Sequence, residues 1–257
     1  MKKAGSIVKQ LFVILFWIGV WAVLAALVDQ ALLLPSPASV FLRLLELAGE
    51  KSFWITAGVS IFRITLGILC AIVLGCVLAV LTCRFSLLDA LLSPLLTVIK
   101  STPVASFILL LLIWIGRDQV PAVISGLMVL PVIWNNICAG VRGTDRNLLE
   151  MAEMYRLSPF VVLRRIYIPS VMPHFLSAIR SSIGIGWKAG VAAEVLTVPV
   201  HAIGRMIYES KLYWETVDLF AWTVVVVLIS LFIEKIVISA LNRLGKSTEE
   251  RMVGGGD

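Results

Sequence analysis

Charged side chains make up only 15% of this 257-residue chain, histidine occurs twice and cysteine four times. Each scarcity removes a class of protein. A soluble domain is about one quarter charged and about 45–50% apolar, whereas 60% of these residues are hydrophobic and the mean hydropathy is +0.99. Most of the surface therefore faces a bilayer. The cysteines, at 70, 76, 83 and 138, lie in or beside apolar runs without CxxC spacing, and two histidines do not complete a metal site with them. Buried thiols are expected, and no metal. His174 and His201 fall near opposite ends of one predicted helix and cannot serve one site, so no catalytic residue is expected either. The formal charge is +6, but its basic residues are scattered between apolar runs, which argues against a nucleic-acid partner and for membrane topology.

What is present is long apolar segments. A spanning helix needs about 20 apolar residues, and such segments occur near 11–28, 54–82, 91–115, 120–140, 172–198 and 217–240. Six spans are predicted in an all-α integral membrane protein. The basic start Met1-Lys2-Lys3 resembles a signal peptide, but the apolar run after it is too long and Asp29-Gln30 offers no small-residue cleavage site. Between the first two spans, Leu34-Pro35-Ser36-Pro37 precedes an amphipathic stretch over 38–50, carrying Arg43, Glu46 and Glu50, that is expected to lie along the membrane surface. Pro94 and Pro103 are expected to bend or break the third span, and Pro131 the fourth.

Orientation follows from the basic residues, which are retained on the cytoplasmic side. With the N-terminus inside, thirteen of the 22 are cytoplasmic: Lys2, Lys3, Lys9, Arg84, Arg142, Arg146, Arg156, Arg164, Arg165, Lys235, Arg243, Lys246 and Arg251. Arg43, Lys51, Arg117, Arg205 and Lys211 are external, and both termini come out cytoplasmic. Gly67, Ala71, Gly75 and Ala79 form an i, i+4 ladder of small residues suited to close helix contact. The fifth span, with Ser177, Ser181, Gly184, Gly186, Ala189, Gly190, Ala192 and Ala193, is either central in the bundle or lines a path.

The longest polar stretch between spans, 141–170, reads as helix, turn, helix. Thr144 or Asp145 caps a first helix in which Leu148, Met151 or Ala152, and Tyr155 form an apolar stripe. Ser158-Pro159 starts a second helix that runs to Ile168-Pro169. From pattern alone this pair either docks a soluble partner, with Glu150 and Glu153 exposed among arginines, or lies against its own bundle.

Glu150-Met151-Ala152 and the ending Ile166-Tyr167-Ile168-Pro169 resemble the EAA loop of binding-protein-dependent ABC importer permeases, which has a Glu-Ala-Ala triplet and an Ile-x-Leu-Pro ending. Glu150, Ala152, Ile166 and Pro169 match, Met151 and Ile168 replace an Ala and a Leu, and Arg156 stands where the family has glycine. Leu34-Pro35-Ser36-Pro37, the run from Ser60 to Gly67, and Gly186-Trp187 through Ala193-Glu194 are similar to the nitrate, sulfonate, taurine and bicarbonate branch. The resemblance implies a type I (MetI-like) bundle: 1–53 an N-terminal helix and connector, 54–242 the transmembrane domain with coupling helices over 145–169, and 243–257 a cytoplasmic tail. It further implies an inner-membrane importer subunit, working with a second permease copy, an extracytoplasmic solute-binding protein, and a cytoplasmic ATPase dimer that holds the ATP and Mg. No cofactor is expected in this chain. Glu150, Ala152, Glu153, Tyr155, Arg156, Ser158, Pro159 and Pro169 become the expected ATPase-coupling residues.

Charges within spans are expensive, about 2.5–3.5 kcal/mol each on insertion scales. Arg63 and Arg180 are expected to be partnered in the bundle or to snorkel. Lys188 and Glu194, with Trp187 beside them, and Lys100-Ser101-Thr102 ahead of Pro103, either line a path for a small anionic or polar solute or are structural, as in a Lys188 to Glu194 ion pair. Gly245-Lys246-Ser247 imitates the end of a phosphate-binding loop, but Ala240 replaces the required first glycine and no strand precedes it. The tail that follows, through Gly254-Gly255-Gly256, is read as a frayed terminus. The competing class is a secondary transporter driven by an ion gradient, which would show an internal repeat with matching broken helices; no convincing repeat is present.

Overall fold

The computed structural model describes residues 2–253, with side chains at 9 and over 11–241, and is helical throughout the described residues without a strand. In chain order the helices are α1 (Lys2–Val28), α2 (Pro37–Gly49), α3 (Lys51–Arg84), α4 (Ser86–Ser101), α5 (Val104–Trp114), α6 (Val120–Arg142), α7 (Arg146–Met154), α8 (Pro159–Val162), a π turn (Leu163–Tyr167), α9 (Ile168–Thr197), α10 (Ile203–Leu212) and α11 (Thr216–Val253).

Among the described residues four helical segments are each long and apolar enough to cross a membrane: Leu11–Val28, Lys51–Arg84, Val120–Arg142 and Thr216–Leu241. The other two predicted spans have a different form. The stretch 91–115 is not one helix: α4 and α5 are bent by 110° at the break before Val104. Proline causes it. Thr102, ahead of Pro103, is extended with ψ 133°, as a residue preceding proline prefers, and its hydroxyl donates to the Val98 carbonyl at 2.8 Å. Pro94 and Pro131, by contrast, sit inside helices that continue past them. The predicted span 172–198 belongs to α9, whose 30 residues give about 45 Å at 1.5 Å per residue. Its serines, glycines and charged Arg180, Lys188 and Glu194 make it too polar for that apolar class, and one face of it is buried in the bundle, with Ala178, Ser182, Gly186, Ala189 and Ala193 all buried.

The core is a three-helix layer of α3, α6 and α9. Between helices in lipid there is no hydrophobic gain, so contact depends on how closely backbones approach. The small-residue ladder supplies that approach: Gly67, Ala71, Gly75 and Ala79 are all buried. A Cβ on Gly67 would run into the backbone carbonyl of Ala122 on α6, and one on Gly190 of α9 would strike the Ser125 hydroxyl and reach Ile64 at 2.7 Å. Ile64, Ile124, Val129 and Ile133 fill the spaces between, each fully buried. Trp134 donates its indole N–H to the Thr82 hydroxyl at 2.8 Å, one of the interhelical bonds worth about 0.6 kcal/mol in membrane proteins.

α11 closes the layer, accepting the Trp187 indole N–H at the Val226 carbonyl, 3.3 Å away. α2 is the predicted surface helix. Ser36 caps it by accepting from the Ser39 N–H at 3.1 Å, Val40 and Leu47 are buried, and Phe41, Leu42 and Leu45 are exposed. Arg43 ties it to the start of α11 through Asp218 at 2.6 Å and also pairs with Glu46 at 2.9 Å. Those two carboxylates, Asp218 first, raise the arginine pKa above its already high ordinary value. At the other end, α11 continues to Val253, so the tail read as frayed is helical that far. Residues 254–257 and the side chains of Lys2, Lys3, Arg243, Lys246, Ser247 and Arg251 lie outside the described residues.

Candidate functional site: an exposed helix and a buried polar cluster

The helical pair predicted over 141–170 is present, built at the end of α6. Asp145, not Thr144, is the N-cap of α7, its carboxylate accepting from the Asn147 N–H at 2.9 Å. The buried Thr144 instead bonds the Gly140 carbonyl at 3.2 Å. At the far end of α7, Arg156 takes the left-handed conformation with φ 50°. The Leu157 N–H returns to the Ala152 carbonyl at 2.9 Å and the Arg156 N–H to Glu153 at 3.0 Å. This is the hydrogen-bond pattern of a glycine-type helix stop, retained with an arginine at the glycine position at a cost of roughly 1–2 kcal/mol.

Only Ala152 of α7 is buried. Leu148, Met151, Met154 and Tyr155 are exposed, the last two by 83% and 74%, as is Phe160 beyond the turn. Glu150, Glu153, Ser158 and Pro159 are exposed as well. The apolar stripe therefore faces away from the bundle.

The second helix does not stop at Pro169. α8, the π turn and α9 follow one another without a gap, and Pro169 sits in the first turn of α9. The wider π turn explains how: the Ile168 N–H reaches back to Leu163, so the proline ring enters a loosened coil rather than a tight α turn. α8 is thus joined without a gap to a helix that crosses the whole core.

Of the six residues considered for a path, the structure separates two from the rest. Trp187 is 1% exposed and Glu194 fully buried; neither offers a free surface. Lys188 is exposed, on a strip of α9 that includes Ser177, Ser181, Ile185 and Ala192. Lys100 and Ser101 are exposed and Thr102 half-buried, at the α4–α5 break. Residues six apart lie about 120° apart around a helix, which keeps Lys188 off the Glu194 face.

Glu194 pairs with Arg63 of α3 instead, at 3.2 Å. It also accepts from the Ser60 hydroxyl at 2.9 Å and the Gly204 N–H at 3.1 Å. Ser60 accepts in turn from the Ile203 N–H at 2.9 Å. Arg63 donates to the Val200 carbonyl at 3.2 Å, and Asp118, from the loop after α5, accepts from the Val200 N–H at 2.9 Å. One buried carboxylate therefore fastens the loop between α9 and α10 to α3, with no room for a side chain at Gly204, where a Cβ would overlap Glu194. The sequence contains no sign of this partnership, since 131 residues separate Arg63 from Glu194. Among the described residues no group of three metal-ligating side chains converges.

Comparison with known proteins places this architecture. A crystal structure of an amino acid ABC transporter superposes with a TM-score of 0.52 at 16% identity, over 75% of this chain and 90% of that one, which shows a common fold. The permease protein SsuC of Bacillus subtilis, assigned to aliphatic sulfonates transport, is 27% identical over 81% of this chain and 76% of its own. The taurine transport permease TauC of Escherichia coli is 24% identical over 83% and 80%, and the bicarbonate transport permease CmpB of Synechocystis 26% identical over 81% and 78%. All three are transport subunits, not enzymes. The family model of the binding-protein-dependent transport system inner membrane component matches residues 67–247, most of the chain, so this protein is a member of that family of ABC importer permeases.

Proposed function

We propose that this permease carries a small anion inward, driven by a separate cytoplasmic ATPase dimer that grips residues 145–169 while an extracytoplasmic binding protein delivers the solute to a pair of permeases. Both termini are then cytoplasmic, and the ATP and Mg belong to the ATPase. The observation that carries the coupling reading is α7: a capped helix whose Leu148, Met151, Met154 and Tyr155 are exposed, with Glu150 and Glu153 beside them. A helix of low apolar content gains little by forming alone, and an outward apolar face supports a partner seated on it. One turn beyond α7, the continuation of α8 through the π turn into α9 supports transmission of movement to the core.

Co-purification with the ATPase tests this. The wild-type chain is expected to retain the ATPase in detergent, and Glu150→Arg to lower the retained amount several-fold with membrane insertion unchanged. Equal retention by the two, or solute flux without ATP, would overturn the coupling reading and favour an ion-driven carrier.

The anionic solute is supported by the sulfonate, taurine and bicarbonate relatives together with the exposed cation of Lys188 on a strip shared with Ser177, Ser181, Ile185 and Ala192. In reconstituted vesicles, Lys188→Met is expected to slow ATP-driven uptake about tenfold, the effect of losing a charge-assisted contact of about 1.5 kcal/mol. Uptake at the wild-type rate would remove Lys188 from the path.

A further inference from the structure

Beside the turn between α7 and α8, the end of α3, the end of α6 and the start of α9 border an apolar groove of about 630 Å³. Val80, Ile137, Val171 and Phe175 line its length, and Arg84 and Tyr167 also line it. Neither polar group has a hydrogen-bonded or ionic partner among the described residues. Arg84 is exposed and makes no ion pair among the described residues, its guanidinium resting over the Phe85 ring at 5.6 Å. The half-buried Tyr167 makes no side-chain hydrogen bond among the described residues. Arg164 and Arg165 occupy the same π turn as Leu163 and Tyr167, exposed and likewise without an ion pair. By contrast Arg142, at the end of α6, is held by Asp89 at 2.9 Å.

We propose that this groove binds one anionic phospholipid of the cytoplasmic leaflet, with an acyl chain along Val80, Ile137, Val171 and Phe175 and the phosphate held by Arg84 and the Tyr167 hydroxyl. The leaflet rests on the orientation proposed above. Charge decides the headgroup: the lining offers the Arg84 cation and the Tyr167 hydroxyl and no carboxylate, which suits a phosphate and disfavours a cationic partner. Because Leu157, Pro159 and Val162 also border the groove, the lipid would buttress the turn between α7 and α8 from below.

The test uses the full-length permease, with whatever subunits co-purify, in nanodiscs of phosphatidylcholine containing a minor fraction of phosphatidylglycerol. Either lipid carries a photoactivatable group on one acyl chain, and adducts are mapped by mass spectrometry. Phosphatidylglycerol is expected to label the groove residues about fivefold more than phosphatidylcholine, the preference one basic residue at a membrane surface confers. Arg84→Gln is expected to remove most of that preference. Equal labelling by the two lipids, or an unchanged preference in Arg84→Gln, would reduce the groove to ordinary lipid-facing surface. Absence of lipid adducts there, with protein cross-links in their place, would assign it to a neighbouring subunit. The labelling does not require a bound ATPase, so it fails or succeeds separately from the coupling reading.

Discussion

Alanine in place of Glu194 is expected to cost about 3–5 kcal/mol, the penalty for removing one member of a buried ion pair, and to leave little folded protein in the membrane. The carboxylate is fully buried and serves three donors, from Ser60, Arg63 and Gly204. Its loss leaves the Arg63 guanidinium, whose side chain is 13% exposed, with only the more distant Asp118 carboxylate at 3.8 Å and the Val200 carbonyl, and removes the acceptor for two more buried donors. The segment it holds is strained: Val198 and His201 take positive φ of 47° and 49°, a conformation that costs a β-branched residue like valine most. Without Glu194, only the Asp118, Arg63 and Ser60 side-chain contacts to Val200 and Ile203 are left to hold that segment. Glu194→Gln, which keeps an acceptor for Ser60 and Gly204 but not the charge, is expected to fall between the two. Size-exclusion profiles and melting temperatures of detergent-extracted protein measure the order. A Glu194→Ala variant as abundant and as heat-resistant as wild type would show that the cluster is dispensable for folding.

The second large effect concerns one methyl group in two places. Gly67→Ala puts a Cβ onto the Ala122 carbonyl, which is backbone and cannot rotate aside, so α3 and α6 must separate. The expected cost is about 1–3 kcal/mol for overpacking, enough to lower the melting temperature by several degrees. Gly184→Ala, on α9, meets nothing within 4 Å and replaces the poorer helix former, so it is expected to gain up to about 1 kcal/mol. Opposite shifts from identical substitutions would identify the α3–α6 approach as the cause. Equal shifts would mean that helix propensity, not interhelical distance, governs both.

Much of this was legible from residues near one another in the chain. The ladder Gly67, Ala71, Gly75 and Ala79 marks a close-packed helix face, and all four are buried. Ser36-Pro37 starts α2, and the Pro103 break divides the third apolar stretch. Where local pattern misled, a competing local force was at work. The π turn let helix continue through Pro169, past the predicted end of the second helix of the pair.

By itself the sequence determined the solvent and the class: apolar runs of bilayer length, a basic asymmetry, and a polar helical pair between spans. These are one-dimensional properties, set by composition and by periods of a few residues. The tertiary structure alone decided which charges meet. Arg63, Ser60, Asp118, Glu194 and Gly204 come from different parts of the chain, and electrostatic pairing depends on distance in space, which no local period encodes. It likewise decided that Trp187 and Glu194 point into the protein while Lys188 stays open, because the face a helix buries is chosen by its neighbours, here the close approach of α3, α6 and α11 to α9.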